Sequence, residues 1–397
     1  AGCGAICHDA GMKVLHVIPS LSAVHGGPTR ALALMERALS GLGVQVETVT
    51  SDDDGPGRRS GKPCGVPLAE NGVTRRYFHK RVDFYKASPA MGRWLVCHVR
   101  DYDLLHIHAL FSYSSMAAAR AARRAGVPYL IRPLGTLNRY GVSQRRPWLK
   151  RASLALLEGP ALRAAAAVHF TSVDEQREAE ALRLPLRGVV IPLGVEAGPP
   201  ADVALVRAQF AGLADAPYLL YLSRLDPKKN LEGLLEAFSR LPSEWSAVRL
   251  LVAGSGEAGY VAALQDQATG LGLADRVIWA GHLEGELKAS ALAGALAFVL
   301  PSFSENFGIA AAEALMAGLP CVLGHGVAIA GEVVESGAGL AVTPDAASIV
   351  AALTTVLADP QGRNQMAAAA KALAQRAYSA ETMGERLVAL YQQILKR

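Results

Sequence analysis

Several things are missing from this 397-residue sequence. No apolar run reaches the roughly 18 residues that a membrane-spanning helix needs, so no such span is expected. The first residues, AGCGAICHDAG, have neither a basic start nor a long apolar core. They are not a secretory signal; residues 1–11 are set apart as a leader, and Met12 is the expected natural start. Cysteine is scarce: five residues, an odd number, with no metal-ligand spacing. That excludes a disulfide framework and suits a reducing, cytoplasmic compartment. A net charge of only +5 gives no acidic or basic tail, and no nucleic-acid module is recognisable.

What is present is apolar and alternating. Hydrophobic residues make up 51% and charged residues 19%, a composition for well-buried globular cores. The length exceeds one ordinary core, so two domains are expected. Short apolar strands alternate with helical patterns throughout, which argues an α/β fold with parallel sheets. Strands are expected at 13–18, 44–50, 104–109, 128–132, 167–171 and 188–192, then at 218–223, 248–253, 276–280, 296–300, 320–323 and 339–343. The Gly/Pro-rich stretch IPLGVEAGPPAD (191–202) reads as a linker. The expected divisions are 12–195, 196–379 and a terminal helical segment, 380–397.

The most informative stretch is PSFSENFGIAAAEALMAGLP. It reads as strand end, loop and helix, with Glu305 on the loop and Glu313 inside the helix. Between them the backbone amides of Asn306, Phe307, Gly308 and Ile309 lie at the positive end of a helix dipole. Such an end favours phosphate. A carboxylate on each side is an acceptor-only group suited to sugar hydroxyls. A second stretch, YLLYLSRLDPKKNLEGLLEAF, is a strand, a basic loop and an amphipathic helix. Arg224 and Lys229 in that loop are placed to meet a diphosphate beyond the strand's carboxyl end. An arginine grips phosphate bidentately, and a lysine acts as a point charge. Lys228 is a less certain ligand. Each motif alone also fits a solvated charged loop.

Other candidates are weaker. His106 and His108 alternate with apolar residues in DLLHIHALFSYSS, so they share a face. Either is a core histidine or a metal ligand, and no third ligand with suitable spacing follows. Asp101 and Asp103 spell D-x-D but precede the strand, at the wrong end for a site. Asp52, Asp53 and Asp54, in a Gly/Pro-rich loop, read as solvated charges. Gly26 and Gly27 precede a helix near Pro28 and permit close backbone approach. GSGEAG (254–259) matches G-x-G-x-x-G, the dinucleotide fingerprint. The expected acid about 20 residues on is missing, so the dinucleotide reading is set aside.

P-S-x-x-E-x-F-G-I-x-x-x-E resembles the retaining glycosyltransferases of family 4 ("group 1"), which have the GT-B fold. SRLDPKKN is similar to the same family's basic loop, with Ser223 in place of a glycine. AGSG (253–256) resembles the family's A-G-x-G turn, which implies that Gly254 lies near the nucleotide. The resemblance covers nearly everything from residue 12 onward. It implies two Rossmann-like domains facing across a cleft, the first for the acceptor and the second for the nucleotide sugar, with the last helix packing back on the first. It implies that Glu313 holds the ribose and that Glu305, with the amides after it, holds the donor sugar. Arg224 and Lys229 would stabilise the departing diphosphate, His108 would touch the reacting centre, and Gly26–Gly27 would approach the diphosphate. Arg132 would border the acceptor. No metal and no other cofactor is implied; the co-substrate is a UDP- or GDP-sugar. The implied reaction is sugar transfer to a saccharide hydroxyl in exopolysaccharide or lipopolysaccharide assembly. A sucrose-phosphate-synthase-like enzyme with a soluble acceptor, or a silent nucleotide-sugar binder, is the alternative.

One charge cluster stands apart. Between Arg120 and Arg163 ten Arg or Lys residues face one acid, Glu158. The segment SQRRPWLKRASLALLEGPAL adds Trp148 and several leucines. A basic, partly amphipathic helix suits an anionic membrane surface carrying a lipid-linked acceptor, although a solvated helix face has the same pattern.

Overall fold

The computed structural model describes residues 11–22, 24, 26–137 and 153–396. The chain divides into two compact units, one running to Gly194 and including the final helix, the other Val195–Ser379. Both are Rossmann-like α/β units, as in the GT-B fold.

Among the described residues the first unit is built on eight strands: β1 (Lys13–Ser20), β2 (Gln45–Ser51), β3 (Pro67–Glu70), β4 (Val73–Phe78), β5 (Leu104–His108), β6 (Tyr129–Arg132), β7 (Ala167–Phe170) and β8 (Gly188–Val190). Their order in the sheet is β3-β4-β2-β1-β5-β6-β7-β8. All pairings but one are parallel. Parallel strands are covered on both faces, so their residues are apolar on both. Leu15, Val17, Leu105 and Ile107 pack under the helices Pro89–His98 and Tyr113–Ala125. Val14, Ile18 and Leu104 face the helix Gly27–Gly41 and the final helix, Ala380–Leu395, through Leu32, Met35, Met383 and Leu387.

The exception is the antiparallel pair β3–β4, absent from the sequence reading. Asn71 and Gly72, at φ 52° and 81°, form its two-residue turn. An Asn-Gly pair supplies both positive φ values that such a hairpin turn requires.

The second unit has six parallel strands: β9 (Tyr218–Leu222), β10 (Arg249–Ala253), β11 (Val277–Gly281), β12 (Ala297–Leu300), β13 (Cys321–Gly324) and β14 (Gly339–Val342). The order β11-β10-β9-β12-β13-β14 reverses direction between β9 and β12. An open α/β sheet binds ligands at the carboxyl ends on either side of that reversal. Cys321 is buried in β13, whereas Cys97, in apolar sequence, is exposed.

Candidate active site

The reversal between β9 and β12 gathers the charged residues singled out above. Lys229 lies in the loop after β9 and is buried; Glu305 follows β12. The two form an ion pair across the switch point. The Lys229 ammonium carries three donors, so one can serve Glu305 while others serve a phosphate. Asn230 adopts a left-handed turn at φ 57° and donates to the carbonyls of Pro301 (3.2 Å) and Pro344 (2.8 Å). It thereby ties the lysine loop to the end of β12. Arg224, on the same loop, is exposed, as is Lys228.

Glu305 is held by its backbone. Its N–H donates to the Gly326 carbonyl (2.8 Å), and its carbonyl accepts from Ala328 (3.1 Å). The following helix spans Ile309–Met316, with Gly308 as its N-cap at φ 91° and no capping side chain. The first-turn amides of a helix have no intrahelical partner, and here no cap side chain competes with an anion for them. Phe307 is buried and packs edge-on against Tyr378, with centroids 5.5 Å apart. Glu313, inside the helix, accepts a hydrogen bond from Lys288 Nζ at 2.7 Å. Lys288 was missed from sequence, because it lies on the helix Gly285–Gly294 and in no motif.

The glycine loop is explained by its neighbour. Gly254 has φ 148°, and a Cβ there would stand 1.8 Å from the Ser223 carbonyl oxygen. Ser223 donates its N–H to Ala253 and Leu225 to Ser255, at 3.0 and 2.9 Å. The loop is shaped to lie against the arginine–lysine loop.

The corresponding edge of the first unit differs. His108 ends β5 and is fully buried. Its Nε2 meets His16 Nδ1 at 2.8 Å, and its ring stacks on His106 at 4.2 Å. His106 in turn meets the Tyr391 hydroxyl (2.8 Å) and His169 (3.3 Å). Parallel register sets His16 beside His106 and His108 beside Arg132. The sequence reading gave His106 and His108 no third companion; the structure supplies His16 and His169. Burial pushes His16 and His169 down to about 3, with the Arg132 cation adding to it. His106 and His108 are likewise driven well below the usual imidazole range, by burial first and by the neighbouring imidazoles and Arg132 second.

Arg132 is 2% exposed, and its Nε and Nη1 have no partner among the described residues. Burial lowers it to about 10. Past β5 the backbone takes positive φ at Ala109 (80°) and Phe111 (53°), costly for residues with a Cβ. Ser115 Oγ donates to Ala109 O (2.9 Å), and the Phe111 N–H donates to Glu158 (3.0 Å). Glu158 is itself buried, which raises it to about 7.

Gly26 caps the Gly27–Gly41 helix at φ 61°, with open space around its missing Cβ. Backbone conformation, rather than packing, calls for glycine there. Asp103 accepts from the Lys13 N–H at 2.7 Å, at the amino end of β1 and away from either edge described. Asp52 and Asp53 are not solvated as expected: they are 2% and 4% exposed. Asp53 pairs with Lys80 and Lys86 at 2.6 Å each, cations that lie too far along the chain to be paired by eye.

Residues 206–373 match the family model described as glycosyl transferases group 1, and residues 26–194 match a glycosyl transferase 4-like domain. A D-inositol 3-phosphate glycosyltransferase of Mycobacteroides abscessus is 36% identical over 126 residues, which are 31% of this chain and only 28% of that one. The protein of the same description from Kineococcus radiotolerans is 31% identical over 315 residues, 70% of this chain and 68% of that one. Anabaena HepE, solved in complex with UDP, superposes with a TM-score of 0.77 over 96% of this chain and 100% of its own, at 21% identity. The chain belongs to the group 1 glycosyltransferases.

Proposed function

We propose that this protein moves a hexose from a UDP- or GDP-sugar to a hydroxyl of a saccharide acceptor, with retention of anomeric configuration and without a catalytic metal. The observation that carries this is the Lys229–Glu305 pair across the switch point, beside an uncapped helix start and Glu313. A diphosphate there would meet Lys229, Arg224 and the amides around Gly308. Glu313 would accept from the ribose hydroxyls, exchanging or sharing its bond with Lys288. Glu305 would accept from the donor sugar. As the sugar departs, charge grows on the diphosphate, and donors already in place stabilise it without reorganising. In the same-face substitution that the family likeness suggests, the acceptor oxygen bonds to the anomeric carbon as the bond to the diphosphate breaks, and the acceptor's proton passes to the leaving phosphate. Lys229→Ala and Arg224→Ala should each lower turnover at least about tenfold, on the order of 1.4 kcal/mol. Near wild-type transfer rates in both variants would remove the assigned roles.

The acceptor is proposed to be lipid-linked, in cell-surface polysaccharide synthesis, with the protein attached to the inner face of the cytoplasmic membrane. Much of the basic segment noted above, residues 138–152, lies outside the described residues. Its flank supports the reading. A groove of about 440 Å³ is lined by Arg120, Arg123 and Arg124 and by Leu156 and Leu157. All three arginines are exposed, and Leu156 is 75% exposed. Apolar side chains beside cations suit an anionic lipid surface. Among the described residues no helix is long and apolar enough to cross a membrane. Flotation with anionic vesicles at low salt should carry the protein upward, and Leu156→Asp should weaken it. Absence of binding at low salt would refute the attachment.

A further inference from the structure

Three side chains from separate segments of the first unit turn one ligand atom each toward a common point. Asp52 follows β2, His79 follows β4, and Cys64 lies on the loop between. His79 Nδ1 is 2.8 Å from Asp52 Oδ2 and 3.5 Å from Cys64 Sγ, and all three atoms lie within 4.8 Å of one another. We propose that Asp52, Cys64 and His79 form a zinc site whose fourth position faces solvent.

The geometry argues against simpler readings. In a thiol–imidazole–carboxylate relay the acid and the thiol sit on opposite ring nitrogens. Here both face the same nitrogen, Nδ1, and one nitrogen cannot serve both. If it is protonated it donates to Asp52, and the thiol is left with the Lys62 carbonyl at 3.6 Å. A metal ion satisfies all three donors together. Thiolate, imidazole and carboxylate are the zinc set, with bonds of about 2.0–2.3 Å. Tetrahedral placement at those lengths spaces the donors about 3.3–3.6 Å apart. The sulfur–nitrogen spacing already fits. The nitrogen–oxygen spacing, 2.8 Å, lengthens with a turn of the His79 ring, whose side chain is 64% exposed, and the sulfur–oxygen spacing lies within 4.8 Å.

The ligands are held in place from behind. Asp52 Oδ1 accepts the Lys80 N–H at 2.7 Å, which orients the other oxygen. The Asp52 N–H donates to Phe78 (2.9 Å) and the Gly65 N–H to Tyr77 (2.8 Å), so the loop is pinned to β4 on both sides of the site. Arg59 Nε approaches Asp52 Oδ2 at 3.9 Å, but that side chain is 56% exposed and can move aside. One carboxylate and one thiolate neutralise a dication. Burial and Asp52 hold the Cys64 thiol protonated in the metal-free protein, so zinc uptake would release its proton.

The other histidine group, His16, His106 and His108, lacks these properties. It is fully buried, offers no anionic ligand and lies in the field of Arg132. The proposed site would clip the loop after β2 to β4.

Cobalt(II) titration of the full-length, metal-stripped protein tests this. A thiolate-to-cobalt charge-transfer band should saturate at one equivalent and be displaced by zinc. Cys3 and Cys7 lie outside the described residues, so the same titration is run on C3S/C7S, which should keep the band. Cys64→Ser, nearly the same size, should abolish it, and His79→Ala should weaken metal affinity at least about tenfold. Zinc should also raise the melting temperature of the wild type but not of Cys64→Ser. A missing band, or one that survives Cys64→Ser or disappears in C3S/C7S, would overturn the site.

Discussion

The switch point of the second sheet and the strands β1, β5, β6 and β7 of the first present opposite chemistry. The second unit gathers Arg224, Lys229, Glu305, Glu313 and Lys288, whose ionic groups retain some exposure or pair with one another. The first gathers His16, His106, His108 and His169 around Arg132, all essentially removed from water. An anion needs fixed charge and donors, and the second edge offers both. The first edge is a buried layer in which burial keeps the imidazoles neutral. One topology thus serves two purposes, set in the second unit by side chains that follow the strands and in the first by side chains within them.

The sharpest way to break the contrast is through glycine. Gly254→Ala would drive a Cβ to within 1.8 Å of the Ser223 carbonyl, at a φ of 148°. It should cost on the order of 3 kcal/mol or more in urea unfolding and displace the arginine–lysine loop. In the first unit Gly26→Ala meets open space and only an unfavourable φ, so about 1–2 kcal/mol is expected. Equal costs would mean that close approach of the two loops is not what the second unit depends on.

Acid should separate the units next. His16 and His169 titrate at about 3 in the folded protein against an ordinary 6.5. Between those values the unfolded chain binds protons that the folded one refuses, so stability falls as pH falls below 6.5. The slope is about 1.4 kcal/mol per pH unit for each histidine, or about 2 kcal/mol each by pH 5. Hydrogen exchange at pH 7.5 and pH 5 should show β1 and β5 losing protection before β9 and β12. Uniform loss, or none, would deny the histidine layer its role.

The sequence showed most of the second edge and less of the first, for a physical reason. Arg224, Lys229, Glu305 and Glu313 fall in loops and a helix start adjacent in sequence to the strands that position them, so local spacing carries the site. The histidine layer depends on lateral register: His16 lies beside His106 only because β1 pairs with β5, and no local pattern records that pairing. Asp52 and Asp53 were misread for the same reason, since Lys80 and His79 reach them through the β2–β4 pairing. The β3–β4 hairpin is different. Its Asn71–Gly72 turn was visible, but the short strands with charged residues lacked the apolar runs that marked the others. The strained turn at Ala109 and Phe111, and the role of Lys288, had no signal in composition or spacing.

The central claim is that the second edge seats a nucleoside diphosphate without metal. It is tested most directly by thermal shift with UDP, GDP, ADP and their sugar conjugates, with and without chelator, on the wild type and Lys229→Ala. A ligand that binds only the folded state raises the melting temperature. UDP or GDP should give a rise that is the same size in chelator, whatever the chelator does to the baseline, and that shrinks in Lys229→Ala. No rise with any nucleotide, or a rise that vanishes with chelator or is untouched by Lys229→Ala, would contradict it.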